Sequence, residues 1–154
     1  MKLAEALMER ADLQRRLAQI KARLTGNAQY QEGEQPAEQP QELLHEYERT
    51  ALALQRYIVA INEANNKVVL PNSQNMTAAL AVRDTLKDKH AMLTALADAA
   101  TPEQQRYSRS EIRMIAAVDV KAVRKQADDT ARQYRELDVM VQQANWLHDV
   151  DLGQ

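Results

Sequence analysis

The chain has 154 residues and a net charge of −2 at pH 7, and 45% of its residues are hydrophobic. This length is sufficient for one domain with a buried core. Because the chain has no cysteine, it cannot form disulfides, zinc–thiolate centres, iron–sulfur clusters or a cysteine nucleophile. The 20 basic and 22 acidic residues are spread along the sequence, so the charge does not favour nucleic acid as a partner.

The composition favours helix over strand. There are three glycines, four prolines, one tryptophan and no phenylalanine, and most of the hydrophobic residues are alanine and leucine. Apolar residues recur in alternating steps of three and four, which is the spacing of one helical face. These patterns predict an all-α fold with helices over residues 2–25, 41–66, 75–100 and 119–147.

The predicted helices have recognisable ends and one defect. The apolar row of the first helix is interrupted at Arg10, and Gly26 is predicted to end this helix in a left-handed conformation. Asn75 and Asp119 are the predicted N-caps of the third and fourth helices. The four apolar rows are Leu3, Ala6, Arg10, Leu13, Leu17, Ile20 and Leu24; Leu43, Tyr47, Thr50, Leu54, Tyr57, Ile61 and Ala64; Ala79, Val82, Leu86, His90, Leu93, Ala97 and Ala100; and Val120, Val123, Ala127, Thr130, Tyr134, Leu137, Val141 and Ala144.

Two connectors separate the predicted helices most clearly. Residues 26–40 contain glycine and proline among glutamine and glutamate, so they are predicted to be a solvated polar linker that lets the chain reverse. Residues 101–118 are predicted to be an irregular connector, because the helical spacing breaks there. From Ser108 onwards alternating residues favour an extended segment, although Ser108 and Glu111 could equally form a capping box.

Amphipathic helices of this length must bury their apolar rows against one another. The sequence therefore predicts a single domain over residues 1–154, built as an elongated antiparallel helical bundle or as coiled-coil-like hairpins. At most a short extended or β segment is expected in the connectors. Because the rows follow a heptad, a second copy of the chain could complete part of the seam, which predicts a homo-oligomer, either a dimer or a larger assembly.

The charge pattern predicts the location of the protein. Glu5 stands where a signal peptide would begin its apolar stretch, and charges recur every few residues afterwards. No apolar run is long enough to span a bilayer. The sequence therefore predicts a cytoplasmic protein without a transmembrane segment. Trp146 is interpreted as a packing residue that closes the end of the bundle rather than as a bilayer anchor.

The histidines do not form a recognisable reactive site. Glu42 and His45 match the Glu-x-x-His element of di-iron bundles, but neither His90 nor His148 supplies the second element that such a site needs. His90 lies in an apolar row and is interpreted as a packed, hydrogen-bonded histidine. The sequence also lacks a Gly-x-Ser-x-Gly elbow and a glycine-rich phosphate loop. No catalytic residue, cofactor or metal is therefore predicted.

One polar cluster stands out from the helical pattern. It comprises Arg109, Ser110, Glu111 and Arg113, in the segment where the helical spacing breaks. One interpretation is structural, with the arginines pairing with Glu111 or capping a helix end on the solvent side. The other is functional, since two guanidinium groups beside a carboxylate can recognise an anionic group or a partner protein.

Several short stretches, spread over nearly the whole chain, carry a family resemblance. They are Lys2–Leu7, Ala11–Arg16, Glu32–Glu34, Ser108–Arg113, Val118–Val120 and Ala144–Trp146. On these residues the sequence resembles the septicolysin-like family of small, uncharacterised bacterial proteins. The resemblance implies a haemolytic, membrane-directed activity through the family's label, and it implies no catalytic residues. Residues 114–117 depart from the family pattern.

Three functions remain open from the sequence. The first is a non-enzymatic, self-associating helical protein whose connector, around Arg109 and Arg113, contacts a protein partner. The second is a membrane-active protein whose amphipathic helices rearrange onto lipid. The third is an enzyme that uses Glu111 together with Arg109 and Arg113.

Overall fold

Four long helices make up most of the chain. The computed structural model describes residues 1–102 and 112–153. In chain order the helices are α1 (Leu3–Gly26), α2 (Pro40–Lys67), α3 (Met76–Ala100) and α4 (Val120–Leu147). Elsewhere the described residues contain turns and isolated bridges but no β-strand. The predicted all-α fold is confirmed. Among the described helices, none is both long enough and apolar enough to cross a membrane.

Each helix turns its predicted apolar row inward. Two row members are exceptions, since Tyr47 and Val82 are 38% and 39% exposed. The buried row members are Leu3, Ala6, Ile20, Leu43, Thr50, Ile61, Ala64, Ala79, Leu93, Ala97, Val123, Ala127, Thr130, Leu137, Val141 and Ala144. Arg10 is the predicted defect, and its Nε is buried without a hydrogen-bond partner among the described residues. The spacing of three and four thus identifies the buried face of every helix.

The chain forms two compact units. Unit 1 comprises Met1–Val69 and Gln142–Gln154, and unit 2 comprises Leu70–Val141. Helix α4 belongs to both, because its last six residues, from Gln142 to Leu147, are part of unit 1. The interpretation of residues 1–154 as a single domain stays a prediction.

In unit 1, α1 and α2 lie antiparallel. Arg16 of α1 donates a hydrogen bond from Nη2 to Glu46 Oε1 of α2 at 3.0 Å. Arg23, two turns further along α1, donates hydrogen bonds to Glu38, which precedes α2, and its Nη1 lies 3.8 Å from Glu46 Oε2. Because the partner's number falls as the α1 number rises, the two helices run in opposite directions and form a hairpin. The polar linker provides the reversal that the sequence predicted.

The residues after α4 pair with the start of α1, also in unit 1. The Leu3 amide donates to the His148 carbonyl and the Val150 amide to the Met1 carbonyl, both at 2.9 Å. These bonds make an isolated antiparallel bridge between Lys2 and Asp149.

Trp146 does not close the end of the helical packing, so that interpretation is wrong. Its side chain is 55% exposed, whereas the adjacent Ala144 and Asn145 are buried. Neighbouring residues point about 100° apart around a helix, so the side of α4 that carries Ala144 and Asn145 is the buried one.

Helix α1 ends at an asparagine cap rather than at a left-handed glycine. Gly26 is the last helical residue and has no positive φ, which corrects the prediction. Asn27 Nδ2 donates to the Arg23 carbonyl at 2.8 Å, and Asn27 Oδ1 accepts from the Glu38 amide at 3.0 Å. One side chain therefore satisfies a terminal carbonyl and holds the end of the linker. The linker glycine Gly33 has the positive φ, of 87°.

In unit 2 both predicted N-caps are confirmed. Asn75 Oδ1 accepts a hydrogen bond from the Ala78 amide at 2.8 Å, at the start of α3. Asp119 Oδ1 accepts from the Ala122 amide at 3.2 Å, at the start of α4. Each cap satisfies an amide that has no partner within its own helix, which fixes where the helix begins.

Helices α3 and α4 form a second antiparallel hairpin. Arg83 Nη1 lies 2.8 Å from Asp138 Oδ1, and Arg124 Nη2 lies 2.9 Å from Asp98 Oδ1. Between the helices, small and branched side chains form a buried cluster. Its members are Leu93, Ala97, Val123 and Ala127. The alanines allow the two backbones to approach closely, as the alanine-rich row of α3 predicts.

Candidate functional site

The predicted recognition cluster lies in the connector between α3 and α4. Three of its members, Arg109, Ser110 and Glu111, fall outside the described residues. Arg113 is exposed, and it forms no ion pair or hydrogen bond with a described residue. Residues 112–118 are neither helix nor strand, while residues 108–111 of the predicted extended segment are not described. The recognition role of the cluster stays a prediction.

The described part of this connector exposes large apolar side chains. Ile112, Met114 and Ile115 are 82%, 83% and 86% exposed. We refer to these three side chains as the connector surface. Burying an aliphatic side chain of this size stabilises a structure by about 1.5–3 kcal/mol. The isolated chain does not gain this stabilisation, because the three side chains of the connector surface stay in contact with water.

The connector surface borders an apolar cleft in unit 2. The cleft has a volume of about 300 Å³ and is lined by the end of α3 and by residues 114–118. Beyond it, Val118 and Val120 pack against the buried cluster of α3 and α4. The connector is thus anchored at its end, while Ile112 and Met114 remain in solvent. The sequence interpretation emphasised the charges and missed this feature, although the apolar residues on both sides of Arg113 were its signal.

A second cleft, with a volume of about 580 Å³, lies in unit 1 beside the start of α2. Its lining includes Glu42 and His45 of the Glu-x-x-His element, together with Arg49. Among the described residues, no group of three or more histidine, cysteine, aspartate or glutamate side chains is placed to hold a metal ion. The Glu-x-x-His element therefore belongs to no such group within the described part of the chain.

One ion pair dominates the electrostatics of the unit 1 cleft. Arg23 Nε donates to Glu38 Oε2 at 2.9 Å, and Arg23 Nη2 donates to Glu38 Oε1, so the guanidinium and the carboxylate meet as a fork. This hydrogen bonding holds the pKa of the Glu38 carboxyl below its usual range. The pair fastens the end of the linker to α1.

Replacing Glu38 by glutamine is expected to destabilise the protein at neutral pH. A carboxylate whose pKa is lowered by folding stabilises the folded state above its unfolded pKa, and this contribution is lost as the pH falls through the folded value. The melting temperature of Glu38→Gln should therefore lie below that of the parent at pH 7, with the difference shrinking below about pH 4.3. Glu34→Gln, in the same linker, is the control. An unchanged difference at pH 3 would contradict the ionic origin.

A family model described as "Family of unknown function (DUF6847)" matches residues 10–150. The chain belongs to this family. The DUF6847 match covers most of α1, the other three helices and both connectors, and its description gives no activity. The description of the DUF6847 family does not mention septicolysins, so the resemblance to the septicolysin-like family stays a prediction.

A solved structure shares the fold of this DUF6847 chain. It is the "Crystal structure of a functionally unknown conserved protein from Corynebacterium diphtheriae", with 40% sequence identity and a TM-score of 0.92. The similarity covers 98% of this chain and 99% of the other. No curated protein matches the chain in a sequence search.

Proposed function

We propose that this chain is a non-enzymatic helical interaction protein that self-associates through the connector surface and acts in the cytoplasm. The observation that carries the proposal is the exposure of Ile112, Met114 and Ile115, at 82%, 83% and 86%. Isolated apolar residues on a surface are ordinary, but neighbouring large ones mark interaction sites. Arg113 lies among them, and arginine is one of the residue types that are enriched in protein interfaces.

The chemistry of the adjacent cleft favours a second copy as the partner. The cleft is lined by the small and aliphatic side chains of Leu96, Ala99 and Ala100 and by Met114 and Ile115 of the connector surface itself. Each chain thus presents one continuous apolar patch, made of the cleft and the connector surface, and two copies related by a two-fold axis can bury these patches against each other. A net charge of only −2 adds little repulsion between the copies.

Light scattering coupled to size exclusion tests the proposal. The parent protein is expected to show a mass of at least twice the 17.5 kDa of one chain. The double variant Met114→Ser, Ile115→Ser should elute as a monomer, because it removes most of the connector surface. Its melting temperature at high dilution should equal that of the parent, since both side chains are in solvent when the chain is alone.

The double variant Met8→Ser, Leu147→Ser is the matched control. It also removes two large apolar side chains, which are 53% and 72% exposed in unit 1. This control should keep the parent's oligomeric state. A monomeric parent at concentrations of tens of micromolar would refute the proposal, and so would a control that dissociates as readily as the connector variant.

A membrane-active role is the second candidate, and one observation favours it. Trp146 and Leu147 are adjacent and are 55% and 72% exposed at the end of α4, and such residues can anchor at a lipid interface. Leakage from dye-loaded liposomes at low protein concentration, abolished by Trp146→Ser, would support this role over self-association. The hypothesis of an enzyme using Arg109, Glu111 and Arg113 has no further support from the described residues.

A further inference from the structure

A narrow groove lies halfway along the α3–α4 hairpin of unit 2, away from the connector surface. It has a volume of about 270 Å³ and is lined by Lys87 and His90 of α3 and by Ala131, Tyr134 and Arg135 of α4. Positions 87 and 90 stand opposite 134 and 131 because the helices are antiparallel. The groove is therefore made by the pairing of the two helices.

The groove is cationic, because Lys87 and Arg135 line it. Lys87, His90 and Arg135 form no ion pair or hydrogen bond with a described residue, and no acidic side chain lines the groove. Other arginines of the same hairpin are neutralised. Arg83 pairs with Asp138 at 2.8 Å and Arg124 with Asp98 at 2.9 Å. His90 is half-buried, as its position in the apolar row predicts, but it makes no hydrogen bond to a described residue, so the hydrogen-bonded part of its interpretation is wrong.

The floor of the groove is apolar and partly aromatic. Tyr134 is half-buried and lines the groove together with Ala131, whose side chain is small. Aromatic rings bind other rings by offset or edge-to-face contact. The volume of about 270 Å³ lies just below the range of about 300–1,000 Å³ for ligand pockets, so it suits one small ring system with a substituent.

From this arrangement we propose that the α3–α4 groove binds a small aromatic carboxylate. The ring lies on Tyr134 and Ala131, and the carboxylate lies between Lys87 and Arg135, which supply charge-assisted hydrogen bonds. His90 offers an imidazole N–H at the same rim. The chain as a whole has a net charge of −2, so the attraction for an anion is a property of this groove and not of the protein's overall charge. The site is separate from the proposed self-association.

Isothermal titration calorimetry with 2-naphthoate tests the proposal. A ligand of this size in a shallow groove is expected to bind with a Kd between about 0.1 and 1 mM. Two probes separate the contributions of ring and charge, because 2-naphthalenemethanol keeps the ring without the charge and acetate keeps the charge without the ring. Each should bind at least about tenfold more weakly than 2-naphthoate, which corresponds to the loss of one charged hydrogen bond or of the ring contact.

Variants of the same helix locate the site. Arg135→Gln should weaken 2-naphthoate binding by about tenfold, and Tyr134→Leu should weaken it while leaving the preference for the anion over the alcohol. Arg132→Gln is the matched control, because Arg132 is one turn away and already faces Asp129 and Glu136. The control should bind like the parent. The proposal is overturned if 2-naphthoate does not bind, if the alcohol binds equally well, or if Arg132→Gln weakens binding as much as Arg135→Gln.

Discussion

Replacing Ile61 by alanine is expected to lower the free energy of unfolding by about 2–5 kcal/mol. Ile61 lies in α2 and is 1% exposed, so it is among the most completely buried large side chains of the chain. Its truncation removes apolar contacts and leaves a cavity that the long helices cannot close without shifting along their length. The effect should be seen as a lower midpoint in urea with an unchanged slope, and as a lower melting temperature.

Ile58→Ala is the control for this prediction. Ile58 lies one turn earlier in α2, and its side chain is 37% exposed, so the same deletion removes less buried surface. We expect its effect to be less than half that of Ile61→Ala. Because alanine favours a helix more than isoleucine does, helix propensity cannot cause a loss in either variant. Equal losses would show that burial does not determine the cost, and would contradict the assignment of Ile61 to the core.

Replacing Ala97 by leucine is expected to destabilise unit 2 by about 1–3 kcal/mol. Ala97 is completely buried between α3 and α4, in the cluster that also contains Leu93 and Val123. Three additional carbon atoms there must push the helices apart or force strained rotamers. Because alanine and leucine have similar helix propensities, the loss reports the close approach of the two backbones.

Ala95→Leu separates packing from propensity. Ala95 lies two residues earlier in α3 on the exposed face, so the larger side chain meets solvent there. Its melting temperature should remain within about 2 °C of the parent, whereas Ala97→Leu should melt several degrees lower. If Ala97→Leu were as stable as the parent, the close contact between α3 and α4 would be wrong.

The fold was largely predictable because one physical signal determines it. The spacing of three and four along each helix identified buried residues as different as Leu3, Ile61 and Val141. The caps at Asn75 and Asp119 were also visible, since a short polar side chain before an apolar row has few other roles. The end of α1 was not predicted correctly, because Asn27 satisfies the terminal carbonyl through its side chain and makes a left-handed Gly26 unnecessary.

The candidate surfaces were less predictable, because they depend on which helices pair and in what register. Nothing in the order of residues shows that Lys87 stands opposite Tyr134, about 47 positions later, or that no acid lies between them. The exposure of Met114 also depends on the fold. Had Met114 stood in a helix, it would have been assigned to an apolar row and expected to be buried. The charged residues around Arg113 drew attention because charge is visible in a sequence, whereas solvent exposure is not.

The bridge at Lys2 and Asp149 bears on how the protein acquires its structure. Lys2 Nζ donates to the Leu147 carbonyl across 145 positions of chain, and all four helices lie within that interval. Closing so long an interval costs more chain entropy than closing the hairpin linkers, and contacts of such sequence separation slow the search for the native state. We expect the two hairpins to form early. The pairing of Lys2 with Asp149 should form last, once α4 is complete.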